Sequence, residues 1–141
     1  MIIVKEKYKS CSLNFKSYPK YVDMPYIRVV LKNLQTGKID TVSRDFLVDT
    51  GASISIINNK YSELLKETES CDKVELIFGK GKSQHYDVYK VALIIKDNVF
   101  ETLVAFVPDC PFLLLGHYAF LERNSYNLFH SSIKQTRLVR N

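Results

Sequence analysis

Phe46-Leu47-Val48-Asp49-Thr50-Gly51-Ala52-Ser53-Ile54-Ser55-Ile56-Ile57 is the stretch on which the fold turns. Three apolar residues drive in a strand, a carboxylate follows at once, and a second apolar run begins at Ile54. A carboxylate at the end of a buried strand loses water on one side, which perturbs its chemistry. The Thr50 hydroxyl can tie down the loop backbone, and Gly51, with no side chain in the way, lets another main chain come close. Taken alone, Asp-Thr-Gly also fits an ordinary turn closing a strand, because Asp and Gly are common turn residues. The apolar flanks, and a second pattern near the C-terminus, separate the two readings.

On the N-terminal side, residues 26–34 read as a strand that turns at Thr36-Gly37, and residues 39–48 return as its antiparallel partner into the Asp49 loop. Further out, residues 2–8 form a short strand, followed by a polar, Pro-containing connection through Pro19 to Pro25. On the C-terminal side, Asn58 or Asn59 is placed to cap a short helix through Tyr61, Leu64 and Leu65. Residues 74–78, a turn at Gly79-Lys80-Gly81, and residues 84–95 make a long hairpin. After a turn at Asp97-Asn98, residues 99–107 form another strand. No internal repeat, low-complexity tract or domain linker interrupts the 141 residues, about the size of one domain.

Composition fits a single folded domain: 46% hydrophobic residues can bury a core while 25% charged residues keep it in solution. Nine Tyr, eight Phe and many Val and Ile favour strands, and no apolar run reaches the length of a membrane span. Charges at Lys5, Glu6 and Lys7 stand where a secretion signal needs its apolar centre, so a cytoplasmic location is expected, with no membrane partner. Cys11, Cys71 and Cys110 are odd in number and widely spaced, which fits free thiols in a reducing compartment. His85 and His130 have no carboxylate or Cys cluster beside them, and His117 reads as a lone surface or packing residue, so no metal and no cofactor is expected. The net charge of +5 gathers in lysines of the N-terminal third, interleaved with Tyr8, Phe15, Tyr18 and Tyr21. Without a nucleic-acid motif, these are read as solvated or edge-strand charges, and no nucleic-acid partner is expected.

The second pattern is Pro111-Phe112-Leu113-Leu114-Leu115-Gly116, followed by His117-Tyr118-Ala119-Phe120-Leu121-Glu122-Arg123. An apolar strand ends in Gly and passes at once into a short amphipathic segment. Together with the Asp49 loop, this resembles the retropepsins, the single-domain, homodimeric aspartic proteases of retroviruses and of several cellular proteins. The resemblance covers roughly residues 25–130, with hairpin, catalytic loop, flap hairpin, apolar strand with Gly, helix and terminal strands in that order.

The resemblance implies an all-β, closed acid-protease barrel with one or two short helices, spanning residues 1–141 as one domain. It implies an aspartic endopeptidase acting on peptides or unfolded protein. Aspartic-protease chemistry needs two carboxylates sharing one proton, because like charges so close together cannot both ionise. No second Asp-Thr-Gly or Asp-Ser-Gly occurs in the chain, so the other half must come from a second copy across a two-fold axis. Asp49 would then be the catalytic carboxylate, Thr50 part of the inter-subunit grip, and Gly51 the seat of the substrate backbone. Ala52, Ile56, Phe112 and Leu114 would line substrate pockets, and Phe78-Gly79-Lys80-Gly81 would form the flap tip that covers a bound peptide. Residues 2–4 and 138–140 are the expected dimer strands.

Retroviral members usually carry an Asp at the position of Ser53 and an Arg after the Gly matching Gly116; here both are replaced, the second by His117, so no charge is orphaned. The swap points to a cellular type. Ala52 cannot donate a side-chain hydrogen bond to the carboxylate, so a bell-shaped rate profile at roughly pH 4 to 6.5 is expected. The alternative is a catalytically silent dimer of the same fold that binds peptides or assembles partners.

Overall fold

Every second residue from Ile27 to Asn33 is buried, and this alternation sets one face of a strand against a core. The computed structural model describes residues 2–15, 18–77, 81–129 and 134–139. Its strands are β1 (Ile2–Lys7), β2 (Lys9–Phe15), β3 (Tyr18–Met24), β4 (Tyr26–Asn33), β5 (Ile39–Val48), β6 (Ser55–Ile57), β7 (Asp72–Leu76), β8 (Gln84–Ile95), β9 (Asn98–Phe106), β10 (Leu114–Leu115), β11 (Ser125–Phe129) and β12 (Gln135–Val139).

Seven strands run in the order β4-β5-β10-β6-β9-β8-β7, and a further β4–β8 pairing closes the sheet into a barrel. The twelve-residue β8 makes closure possible by changing partner along its length. Its first half pairs with β7, from Gln84 opposite Leu76 to Val88 opposite Asp72. Its second half pairs with β4, from Val91 opposite Asn33 to Ile94 opposite Val30. Ile27, Phe46, Leu93, Leu115 and Phe120 fill the interior, and the Phe100 and Phe120 rings meet edge to face at 5.7 Å.

Two elements stand beside the barrel. β2 and β3 form an antiparallel two-stranded ribbon where a plain connection was expected. Pro19, opposite Asn14, is tolerated because each strand of a two-stranded ribbon has an edge that needs no N–H. The terminal sheet runs β1-β12-β11, and Leu138 of β12 is fully buried in the main core. Of the residues expected at the dimer boundary, Arg140 lies outside the described residues.

The expected short helices are corrected by the structure: among the described residues there is no α-helix. Asn58 does cap, accepting from the Lys60 N–H at 3.1 Å, but it opens only a single 3₁₀ turn over Asn59–Tyr61. The run is too short to repay α-helix nucleation, and burial of Tyr61, Leu64 and Leu65 is achieved by successive turns. After Gly116, the second expected helix is broken at Ala119, whose φ of 65° no α-helix admits. The Ala119 N–H instead meets Glu122 Oε1 at 2.8 Å. No helix of the described residues is long and apolar enough to cross a membrane.

Tyr61 yields a prediction. Its ring is fully buried under the Arg44 guanidinium, 4.8 Å from the ring centre, and among the described residues its hydroxyl has no partner. Burial pushes its ionisation above the usual 10.0, with Arg44 opposing and Asp40 adding to the shift. The folded state thus keeps a proton that the unfolded chain gives up above pH 10, so stability present below that pH is lost as pH rises further. Tyr61→Phe should raise stability at pH 7 by about 1 kcal/mol, because an unsatisfied buried hydroxyl is removed, and should flatten the alkaline loss. Urea unfolding of both proteins at pH 7 and above pH 10 measures both effects.

Candidate active site

The apolar run before Asp49 makes β5, and the apolar run after it makes β6. Between them lies β10, parallel to β5 with Leu114 opposite Leu47, and antiparallel to β6 with Leu114 opposite Ile56. The two sequence patterns are thereby one structural unit. Leu113 and Leu115 carbonyls accept from the Leu47 and Asp49 N–H groups at 2.8 and 3.0 Å, which fixes where β5 ends and where the carboxylate begins.

Gly116 allows this threading. A Cβ there would lie 2.5 Å from the carbonyl carbon and oxygen of Ile54 and 3.0 Å from the Ala52 oxygen. Its N–H donates to Ser55 Oγ at 3.0 Å. Ser55 is fully buried, so Ser55→Ala should strand that donor and cost about 1–3 kcal/mol, read as a lower denaturation midpoint. The Ala52 and Ser53 carbonyls accept from His117 and Tyr118 N–H at 3.0 and 2.8 Å. These backbone bonds tie the loop to the segment after Gly116 where retroviral members use an ion pair; the Ser53 and His117 side chains are both exposed.

Asp49 is half-buried, and the Gly51 N–H holds its Oδ1 at 3.0 Å, orienting the carboxylate. The Asp49 carbonyl accepts from the Ala52 N–H at 3.1 Å, which completes a tight loop. A cavity of about 250 Å³ brings Asp49, Gly51, Ala52, Ile56 and Leu114 together. Thr50 sits exposed at the loop tip and is not part of the cavity wall. Phe112 is 39% exposed and borders a separate hollow with Pro111, Leu113 and Lys60. Gly81 is exposed in a bend after β7, while Phe78, Gly79 and Lys80 lie outside the described residues.

The cavity wall also holds Ser53, Ile54, Leu76 and Ile77, which sequence reasoning missed. For Leu76 the signal was the alternation with Val74 along β7, which puts both on one face. Ser55 was missed as well, although a hydroxyl inside Ile54-Ser55-Ile56-Ile57 needs a buried partner. A larger hollow of about 450 Å³, bordered by Gln35, Glu69, Cys71 and Glu101, shares no residue with the Asp49 loop. The oriented carboxylate, not cavity size, marks the site. Among the described residues no group of three or more His, Cys, Asp or Glu is placed to hold a metal ion.

No curated protein matches the chain. The family described as retroviral aspartyl protease does match, over residues 23–125. That span runs from the end of β3 through the Asp49 loop and Gly116 to the start of β11. With the carboxylate loop, the strand threaded beside it and the closed barrel all inside the match, the chain belongs to the retroviral aspartyl protease family.

Proposed function

We propose that the chain is an aspartic endopeptidase working as a homodimer, each copy supplying one Asp49 to a shared site. One observation carries the reading: the chain offers one oriented carboxylate in a loop whose next residues, Thr50 and Gly51, are exposed beside a cavity of about 250 Å³. That is half of a two-carboxylate site. In the dimer, one Asp49 takes a proton from water as the oxygen attacks the scissile carbonyl carbon, while the other, protonated, gives its proton to the carbonyl oxygen. Collapse of the tetrahedral intermediate breaks the C–N bond, and a proton passes to the leaving amine. No bond to the enzyme forms.

In this reading Thr50 grips the partner loop, Gly51 receives the substrate backbone, and Ala52, Ile56 and Leu114 form the apolar wall. The β7–β8 hairpin closes over the peptide as a flap, with Leu76 and Ile77 at the end of β7 that leads into its turn. The dimer strands we propose are residues 2–4 and 138–140; within one copy β12 lies between β1 and β11, so β1 carries the outer edge that a partner strand can join. We read residues 1–141 as one domain, and the unpaired thiols of Cys71 and Cys110 support a reducing, cytoplasmic setting.

The test is cleavage of denatured protein and of a peptide library, with inhibition by a statine-type transition-state mimic. Specific activity per chain should fall on dilution through the dimer dissociation constant, followed in parallel by ultracentrifugation. Binding of the mimic without cleavage of any substrate would support the silent alternative. An active monomer at every concentration would contradict the shared site.

A further inference from the structure

We propose that Ser55 is a positioning residue for the reaction: its buried hydroxyl, acting through the single peptide unit between Leu115 and Gly116, sets where the Asp49 carboxylate stands. This rests on the endopeptidase reading and adds a residue to that site. Two hydrogen bonds belong to one plane. The Leu115 carbonyl accepts from the Asp49 N–H at 3.0 Å, and the Gly116 N–H, on the other side of the same peptide, donates to Ser55 Oγ at 3.0 Å. A peptide unit is planar and rigid, so a rotation that frees one of these groups re-aims the other.

Ser55 is well placed to hold that plane. It is fully buried, and β6 is paired on both sides, with Ser55 opposite Val104 of β9 and Ile56 opposite Leu114 of β10. Packing alone would favour another apolar side chain between Ile54 and Ile56, because a buried hydroxyl is costly unless it is bonded. Restraint is needed at this point of the chain. Glycine leaves the peptide before Gly116 freer to turn than any other residue would.

Along the same seam the neighbouring bonds do not depend on side chains. The Asp49 N–H goes to Leu115, the His117 N–H to Ala52 and the Tyr118 N–H to Ser53, a main-chain carbonyl in each case. At Gly116 the acceptor is a side chain, so one substitution at Ser55 removes it and leaves the main chain intact. From the Leu115 carbonyl the effect passes to the Asp49 backbone, and from there to a carboxylate whose Oδ1 is held by the Gly51 N–H. Misplacing a reacting group by about 1 Å can cost about 100-fold in rate. The substrate walls at Ile56 and Leu114 keep their own side chains, so the loss falls on kcat and not on KM.

The experiment compares wild type with Ser55→Ala, and Ser55→Thr with Ser55→Val, at a temperature where each protein is fully folded and of wild-type mass. Thr and Val have the same shape, and only Thr keeps an acceptor. From Ser to Ala, and from Thr to Val, kcat should fall by roughly ten- to a hundred-fold, with KM within about two-fold. Ile95→Val, at a fully buried position beside the β8–β9 turn, should lower the denaturation midpoint and leave kcat unchanged. Wild-type kcat in Ser55→Ala, or equal kcat in the Thr and Val variants, overturns the proposal. If wild type cleaves no peptide, the endopeptidase reading fails separately, and hydrogen exchange decides the positioning. The Leu47 N–H is bonded to Leu113, not to the peptide that Ser55 holds, so it is the internal control. In Ser55→Ala the Asp49 amide should exchange about ten-fold faster relative to the Leu47 amide, and an equal change at both overturns the proposal.

Discussion

Asp49→Asn is expected to abolish peptide hydrolysis, by about 10³-fold or more, while melting temperature and dimer mass stay at wild-type values. The amide keeps the oxygen that accepts from the Gly51 N–H, so the loop retains its 3.0 Å bond and its shape. What it loses is the capacity to take a proton from water. The fall should appear in kcat, with binding of an uncleaved peptide preserved, because the cavity walls at Ala52, Ile56 and Leu114 are untouched. A variant that keeps substantial activity would show that another residue performs the chemistry.

Gly116→Ala should be the most damaging methyl group added at Gly37, Gly51 or Gly116, costing about 3 kcal/mol or more. The new Cβ meets the Ile54 carbonyl carbon and oxygen, each at 2.5 Å. These are backbone atoms of a buried segment, and no rotamer moves them away. Relief requires β10 to withdraw from β6, which would strain the Ser55 bond to the Gly116 N–H and the Leu115 bond to the Asp49 N–H. Stability and carboxylate orientation should therefore fail together, seen as a lowered guanidinium midpoint and a loss of peptide binding. A wild-type midpoint would contradict the threading of β10 between β5 and β6.

Much of this architecture is legible from period-two patterning. The sequence alone places β5 and β8 at the residues where they lie, and the strand after the Asp97 turn within one residue. The turn itself sits at Lys96-Asp97, one position earlier, because Lys96 rather than Asn98 adopts positive φ. The Asp49 loop is readable because its apolar flanks can only be strands. Helical geometry failed where short apolar runs decided it, since Leu64, Leu65 and Phe120 bury as well in turns as in a helix. The β2–β3 ribbon was hidden by Pro19 and by lysines that read as a connection. At the site, Leu114 and Ile56 were legible as apolar neighbours of the loop. The separate position of Phe112 was not, because alternation at the end of a two-residue strand does not fix which way the preceding residue faces.

The central claim is that one Asp49 from each of two chains makes one active site. Mixing wild-type chains with Asp49→Asn chains, after equilibration through the dissociated state, tests it most directly. If both carboxylates are required, an equal amount of variant should reduce total activity to about half, and a nine-fold excess to about a tenth, as random pairing leaves fewer wild-type dimers. Activity that stays constant or rises as Asp49→Asn chain is added would contradict the account, because a single Asp49 would then suffice.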